Sequence, residues 1–377
     1  DGGEVSNNII GNFNGTSSET DKGVWLATST ANTNVYNNQI SNLNYSGTGG
    51  YGAIGVYITS GKTNANINVF NNTINSLSGD GWNYTTTPTD NPIGIGLSGT
   101  QSGVNIYNNT VRLSGSTLNK TSAMSMGVYL GAGSNATIKN NIISNSLGLL
   151  SSTGYGSVGI YAATANTQFS AISNNLYEIN PAGSGVKFIG QIASTGSSTL
   201  STWRTASGGE NGSRAIAPTF ISATNLHLSN ENGANWAAES AGTPISTVTT
   251  DIDGDSRDAS RPDIGADEFN ATGFTITNPS AVCAPGTVDL TAAAVTAGTV
   301  SGATFTYFTD VTGATTFSTP TAVGTSGTYY IKATYGSNSD NYWIKPVTVT
   351  INPQPTPSIS GSSAVCASST GNVYSVT

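Results

Sequence analysis

Charge is the scarcest property of this chain: 12 Lys and Arg, 20 Asp and Glu and a single His are spread over 377 residues. Nucleic-acid affinity comes mainly from clustered cations, so scattered basic residues and a formal charge of −8 exclude a phosphate-binding surface. No apolar run approaches the roughly 18 residues that a membrane-spanning helix needs, and no membrane span is expected. Only two Cys are present, compatible with export but too few for a disulfide framework. What fills the space is Gly, 46 of them, with Asn, Ser and Thr. The surface must therefore be covered by amides and hydroxyls instead of ion pairs. The length admits two or three domains. Asp1 lies just before a repeat and Thr377 inside an apparent strand, so a signal peptide or anchor is expected outside this stretch.

An Asn-Asn pair recurs six times in one apolar frame, at Asn7/Asn8, Asn37/Asn38, Asn71/Asn72, Asn108/Asn109, Asn140/Asn141 and Asn174/Asn175. Spacings of 30 to 37 residues are those of stacked supersecondary units. In NVYNNQI the alternation puts Val35 on one face and Tyr36 on the other, and Ile40 returns to the apolar side after the pair. Asn tolerates the left-handed backbone conformation, and its amide both donates and accepts along a column of identical neighbours. One Asn of each pair is expected to turn the chain and the other to join an internal ladder. The sequence leaves open which does which.

A second motif repeats out of phase: GVWLAT at Gly23, GVYITS at Gly55, GIGLSG at Gly94, GVYLGA at Gly127, GIYAAT at Gly159 and GVKFIG at Gly185. Each repeat thus carries at least two short strands with no helical period between them. The expected fold is all-β, a right-handed parallel β-helix followed by immunoglobulin-like β-sandwich modules. A leucine-rich repeat would need a denser Leu consensus, and a propeller about four strands per repeat.

From Ser197 the Asn pairs stop, and APTFISATNLHLS leads to the acidic segment DIDGDSRDASRPDIGADEF, Asp251 to Phe269. Here residues 1 to 269 resemble secreted right-handed parallel β-helix proteins, whose last coils read PxF…LHL and then D-x-D-G-x-x-R…DIGA-x-E. The resemblance implies that this segment finishes the helix, with Pro218, Phe220, Leu226, Leu228, Ile264, Gly265 and Glu268 as structural cap positions. Domains are accordingly expected at 1–270 for the β-helix with its cap, 272–353 for an immunoglobulin-like sandwich, and 357–377 for the start of a second module. The last follows from SGSSAVCASST repeating NPSAVCAPGT, which sets Cys366 83 residues after Cys283. Cysteines equivalent in successive modules are not expected to pair with each other; each is read as a buried thiol or as pairing beyond this stretch.

Glycoside hydrolysis needs two opposed carboxyl groups, and lyase chemistry a base with charge neutralisation. Between Lys22 and Tyr177 the only acids are Asp80 and Asp90, in one loop, so no catalytic residues are assigned. That loop, Gly79 to Pro92, gathers Asp80, Trp82, Tyr84 and Asp90, a set suited to stacking on sugar rings and bonding hydroxyls, although Trp82 could simply cover the adjacent coil. Asp251, Asp253 and Asp255 at alternate positions suggest a structural calcium, against the reading of an acidic cap paired with Arg257 and Arg261. An EF-hand is excluded, because Ser256 and Pro262 stand where Gly and Glu are required. His227 is read as a structural strand residue.

A rod followed by sandwich modules resembles the large surface adhesins exported by the type IX secretion system, some of which serve gliding. The expected function is a non-catalytic segment of a secreted cell-surface adhesin or filament, contacting surface glycans or other copies of itself. The rival is a polysaccharide-binding or polysaccharide-degrading β-helix protein.

Overall fold

A computed structural model describes residues 2–115, 118–148, 155–181, 183, 185–364, 366–368 and 370–376; Asp1 and Thr377 lie outside the described residues. The chain forms two compact units, residues 1–273 with 334–343, and residues 274–333 with 344–377.

The first unit is a parallel β-helix of about five turns built on three sheets. The first sheet stacks Gly3–Ser6, Thr33–Tyr36, Ile67–Phe70, Gln101–Tyr107, Ser134–Lys139 and Phe169–Ser173. The second stacks Ile9–Gly15, Gln39–Tyr45, Thr73–Ser78, Thr110–Leu113, Ile142–Asn145, Leu176–Ile179 and Arg214–Ala215. The third stacks Asp21–Leu26, Ala53–Ile58, Ile93–Leu97, Ser125–Leu130, Gly156–Ala162 and Val186–Ile192, and ends on the antiparallel strand Thr195–Ser197.

Register places like residues over like. Val35, Val69, Ile106, Ile138 and Ile172 form one inward column, and Ile40, Ile74, Val111, Ile143 and Tyr177 another, all buried. Branched side chains at alternate positions suit a pleated, half-buried surface, so each coil adds a layer to one continuous core. Outside, Asn34, Asn68 and Asn105 link amide to amide at 2.8–2.9 Å, and Tyr36 stacks on Phe70 with centroids 4.9 Å apart. Uncharged ladders thus replace the missing ion pairs on this face.

The two members of each Asn pair divide the work. The first, Asn7, Asn37, Asn71, Asn108, Asn140 and Asn174, has φ between 49° and 58° and makes the turn between the first two sheets. The second joins an internal ladder: the Oδ1 of Asn38, Asn72, Asn109, Asn141 and Asn175 accepts both the backbone N–H and the Nδ2–H of the Asn one coil earlier, at 2.9–3.1 Å. These amides are almost fully buried from Asn38 onward.

The third sheet carries a column of glycines, Gly23, Gly55, Gly94, Gly127 and Gly159. A Cβ on Gly55 would lie 2.6 Å from both the Gly94 carbonyl oxygen and Ile74 Cγ2, so only glycine lets the strands approach there. Gly185 is not the sixth member. Val158 pairs with Phe188 and Ile160 with Gly190, which sets Ile189 opposite Gly159.

The far end of the stack is closed by helix α1, Leu200–Ser207, with Trp203 fully buried against Gly190. Thr199 caps the helix by accepting the Thr202 N–H, and Gly208 ends it in the left-handed conformation. The Asn ladder stops at Asn175, whose N–H donates to Ser213 Oγ at 2.8 Å and whose Nδ2 donates to Glu210 at 3.3 Å. Glu210, fully buried, also accepts from Tyr177 and from Trp203 Nε1.

The acidic segment does not sit on that end, as the resemblance implies, but runs along the side of the helix. There the turn-forming asparagines hold it: Asn174 donates to the Ala241 carbonyl, Asn140 to Thr243, Asn108 to Asp263 and Asn71 to Thr250, at 2.7–3.2 Å. Arg257 donates back to Asn71 Oδ1 at 2.9 Å. Among the expected cap positions Leu226, Leu228, Ile264 and Gly265 are buried, Pro218, Phe220 and Glu268 partly so, and Phe220 bridges Leu228 antiparallel.

The second unit is all-β, with short sheets and the antiparallel bridges Val288–Val323 and Phe308–Thr316. Its core holds Leu290, Val323, Ile331, Ala333, Val347 and Val349. Cys283 and Cys366 are not bonded to each other, as expected; both are exposed instead of buried. No described helix is long and apolar enough to cross a membrane.

Candidate functional site

Outward positions of the third sheet form a column in register: Trp25, Tyr57, Gly96, Tyr129, Tyr161 and Gln191. Beside it Ile54, Ile93, Met126 and Val158 also face outward, giving this sheet a second apolar cluster outside the helix core. The Gly79–Pro92 loop folds over part of this cluster. Tyr84 rests on Tyr155 and Tyr161, with ring centroids 5.0 and 6.0 Å away, and Tyr129 and Tyr161 become buried. Burial, reinforced by Tyr161 and Tyr57, pushes the Tyr129 hydroxyl far above the ordinary phenol range.

The loop leaves Trp25 uncovered, 56% exposed. Its ring lies 6.3 Å from Tyr57 and is oriented by an Nε1–H bond to Thr59 Oγ1 at 2.9 Å. Lys22 Nζ sits 5.2 Å from the Trp25 ring and 6.0 Å from that of Tyr57, held by the Thr20 carbonyl at 2.9 Å. Asp90 is tied to the same corner, accepting from Thr20 Oγ1 at 3.3 Å.

The other loop residues have separate surroundings. Asp80 is buried; its Oδ2 accepts the Gly50 N–H at 3.0 Å and pairs with Lys120 at 3.1 Å. Trp82, 44% exposed, covers Gly50, where a Cβ would fall 2.1 Å from the ring, and Lys120 Nζ lies 5.5 Å from it. Buried Asn91 anchors the loop, its Oδ1 accepting the N–H groups of Trp82 and Met124. Asp80 and Tyr84 are thus engaged in holding the loop, whereas Trp82 and Asp90 keep accessible surface. Sequence reasoning missed Lys22, Trp25, Tyr57 and Lys120. The signal for two of them was present: Trp25 and Tyr57 occupy the same position of the GVWLAT and GVYITS motifs, as do Tyr129 and Tyr161 in theirs.

In the acidic segment the carboxylates mostly accept backbone N–H groups. Asp251, fully buried, takes those of Asp253 and Asp255 on Oδ1 and of Glu268 on Oδ2, all at 2.9 Å. Asp258 takes Ser260 and Arg261, and Asp263 takes Ser240 and Phe269. Glu268 takes Asp258 and Asp263 while pairing with buried Arg257 at 3.0 Å. The alternate aspartates do not converge on one point: Asp253 contacts His227, and Asp255 lies exposed. Burial, then Glu239 and Glu268, push the Asp263 carboxyl well above the ordinary range, whereas the Ser260 and Arg261 N–H groups hold that of Asp258 below it.

No protein-family model, no curated protein and no solved structure matches the chain.

Proposed function

We propose that this chain is a non-catalytic segment of a secreted cell-surface adhesin, in which the β-helix is a rigid display scaffold and the outer face of its third sheet binds surface glycan. The observation that carries this reading is the exposed pair Trp25 and Tyr57, stacked in consecutive coils with Lys22 beside both rings. Aromatic faces bury the apolar side of a sugar ring, while Asp90, Lys22 and neighbouring Thr hydroxyls offer hydrogen bonds to its edge. Neighbouring coils repeat at about 4.8 Å, close to the rise of one sugar in an extended chain, so a linear polysaccharide lying along the axis fits the column.

The scaffold role is supported by the fate of the carboxylates: those of the acidic segment hold backbone, and Asp80 holds a loop. The second unit fits an immunoglobulin-like spacer, supported by its antiparallel bridges and by the alternating burial of Tyr329, Ile331 and Ala333. Cooperative unfolding of residues 272–353 expressed alone would agree with that; a disordered product would not. Export through the type IX route belongs to the same proposal and rests on the resemblance of the closing motif.

A glycan array followed by calorimetric titration of the best ligand tests the binding face. Trp25→Ala is expected to weaken binding about tenfold, the scale of one lost stacking contact, without changing the melting temperature. Absence of any glycan ligand would overturn the binding reading. Release of oligosaccharide or unsaturated product would overturn the non-catalytic one.

A further inference from the structure

We propose that His227, Asp253 and Asp267 form a binding site for a divalent transition-metal ion of the zinc type, clamping the Leu226–Leu228 stretch to the acidic segment. His227 comes from the Leu226–Leu228 stretch and both aspartates from the acidic segment, 14 positions apart, and one ligand atom from each lies within 4.8 Å of the others. The ring orientation of His227 is settled by Asn225. Its Oδ1 accepts the His227 backbone N–H at 3.1 Å, which fixes the amide, and the same oxygen contacts Nδ1. Nδ1 therefore carries the ring proton. In the neutral ring this leaves the Nε2 lone pair directed at Asp253 Oδ2, 2.7 Å away.

Two acceptors at that distance require a positive centre, either a second ring proton or a cation. An imidazole whose Nδ1–H is held by an oxygen while Nε2 points into a carboxylate pocket is the arrangement of a metal-bound histidine. The charge balance also favours a dication. Asp267 is nine-tenths buried and brings a second carboxylate, with Oδ2 accepting the Leu228 N–H at 2.8 Å. The guanidinium of Arg257 is committed elsewhere, to Glu268, Asn71 and the Gly265 carbonyl.

The donor set selects the ion. Calcium takes six to eight oxygens, and the carboxylate that would have headed such a loop, Asp251, is enclosed and bonded to three N–H groups. One imidazole with two carboxylates suits zinc, cobalt or nickel, with water completing the shell. Access exists, because the His227 side chain is 24% and that of Asp253 51% exposed.

The experiment uses the whole chain, stripped with chelator, its two exposed thiols alkylated so that they cannot bind metal. Zn2+ at a hundredfold excess over its dissociation constant is expected to raise the melting temperature by about 5 °C, while Ca2+ and Mg2+ leave it in place. Co2+ should give visible d–d absorption at one equivalent. His227→Gln retains a hydrogen bond to Asp253 and is expected to melt like the metal-free parent, yet to lose both responses; Asp267→Asn should weaken both. Absence of the zinc shift and of the cobalt band in the parent would overturn the site and leave an imidazolium–carboxylate pair. Unchanged responses in His227→Gln would equally overturn it.

Discussion

Asparagine does two unrelated jobs in adjacent positions, and the difference lies in which group is used. The first Asn of a pair turns the chain with its backbone, where a left-handed conformation costs most L-residues about 1–2 kcal/mol. At Asn71, Asn108, Asn140 and Asn174 its amide also reaches outward to residues 241–265. The second is chosen for its amide, which serves as acceptor to one coil and donor to the next. Replacing Asn72 by Ala removes the acceptor for Asn38 N–H and Nδ2–H, as well as donors to the Val35 and Phe70 carbonyls, all in the interior. Orphaned buried groups cost about 1–3 kcal/mol each, so this substitution is expected to destabilise by at least about 3 kcal/mol. Asn37→Gly, at φ 53°, should change stability by only a few tenths of a kcal/mol. Denaturant midpoints of the two variants separate the jobs, and equal effects would refute the division. The sequence could not assign them because both residues carry the same side chain, and direction of projection appears only with the coil closed.

At the level of elements, the third sheet depends on the close approach allowed by its glycines. A Cβ at Gly127 would lie 2.3 Å from Ile143 Cγ2 and 2.7 Å from the Gly159 carbonyl oxygen. Gly127→Ala is therefore expected to cost about 1–3 kcal/mol, the usual price of overpacking. Gly96→Ala in the adjacent strand meets side chains alone, Ile93 Cγ2 at 3.3 Å, Tyr57 Cδ2 at 3.5 Å and Ile54 Cγ2 at 3.7 Å, and should stay within about 0.5 kcal/mol when both variants are unfolded in urea. Much of this architecture was readable: the repeat length, the parallel stacking and the glycine motif all stand in the sequence. The third strand was not. The first three strands of the second sheet carry a left-handed residue midway, Asn12, Asn42 or Ser76, so Ile40 and Leu43 both turn inward three positions apart and break the period of two. Gly185 misled for a related reason: its motif matches the others, but pairing of Gly156 with Val186 shifts the strand past it. In the same way, alternate aspartates gave the pattern of a cation loop, while Asp251 turned inward to bind its own backbone and Asp253 met a histidine 26 positions away.

For the molecule as a whole, acids of opposite tendency set its response to pH. Asp263 has its folded pKa raised, so its contribution is complete below the unfolded value near 3.8 and is lost as pH rises through the folded value. Asp258 has its folded pKa depressed, so its contribution is present above that unfolded value and is lost as pH falls through the folded one. Stability is therefore expected to peak at mildly acidic pH. In the protein Glu239 accepts from Ser240 Oγ and from the Ala271 N–H; Glu239→Gln keeps one amide oxygen as acceptor while removing one charge facing Asp263. It should raise the melting temperature at pH 8 by about 2–3 °C and leave it unchanged near pH 4. A uniform shift at both pH values would contradict the coupling.

The lateral hold of Asn71, Asn108, Asn140 and Asn174 on residues 241–265 also makes that segment a gauge. Duplicating one coil between Asn109 and Asn140 would leave the inner amide ladder complete, because every Asn would still find one above and one below. It would nevertheless carry Asn71 away from Thr250 by one strand spacing, about 4.8 Å, beyond hydrogen-bond reach. Coil number and segment length must therefore change together, so that relatives lengthened by whole coils are expected to carry a compensating insertion in the acidic stretch.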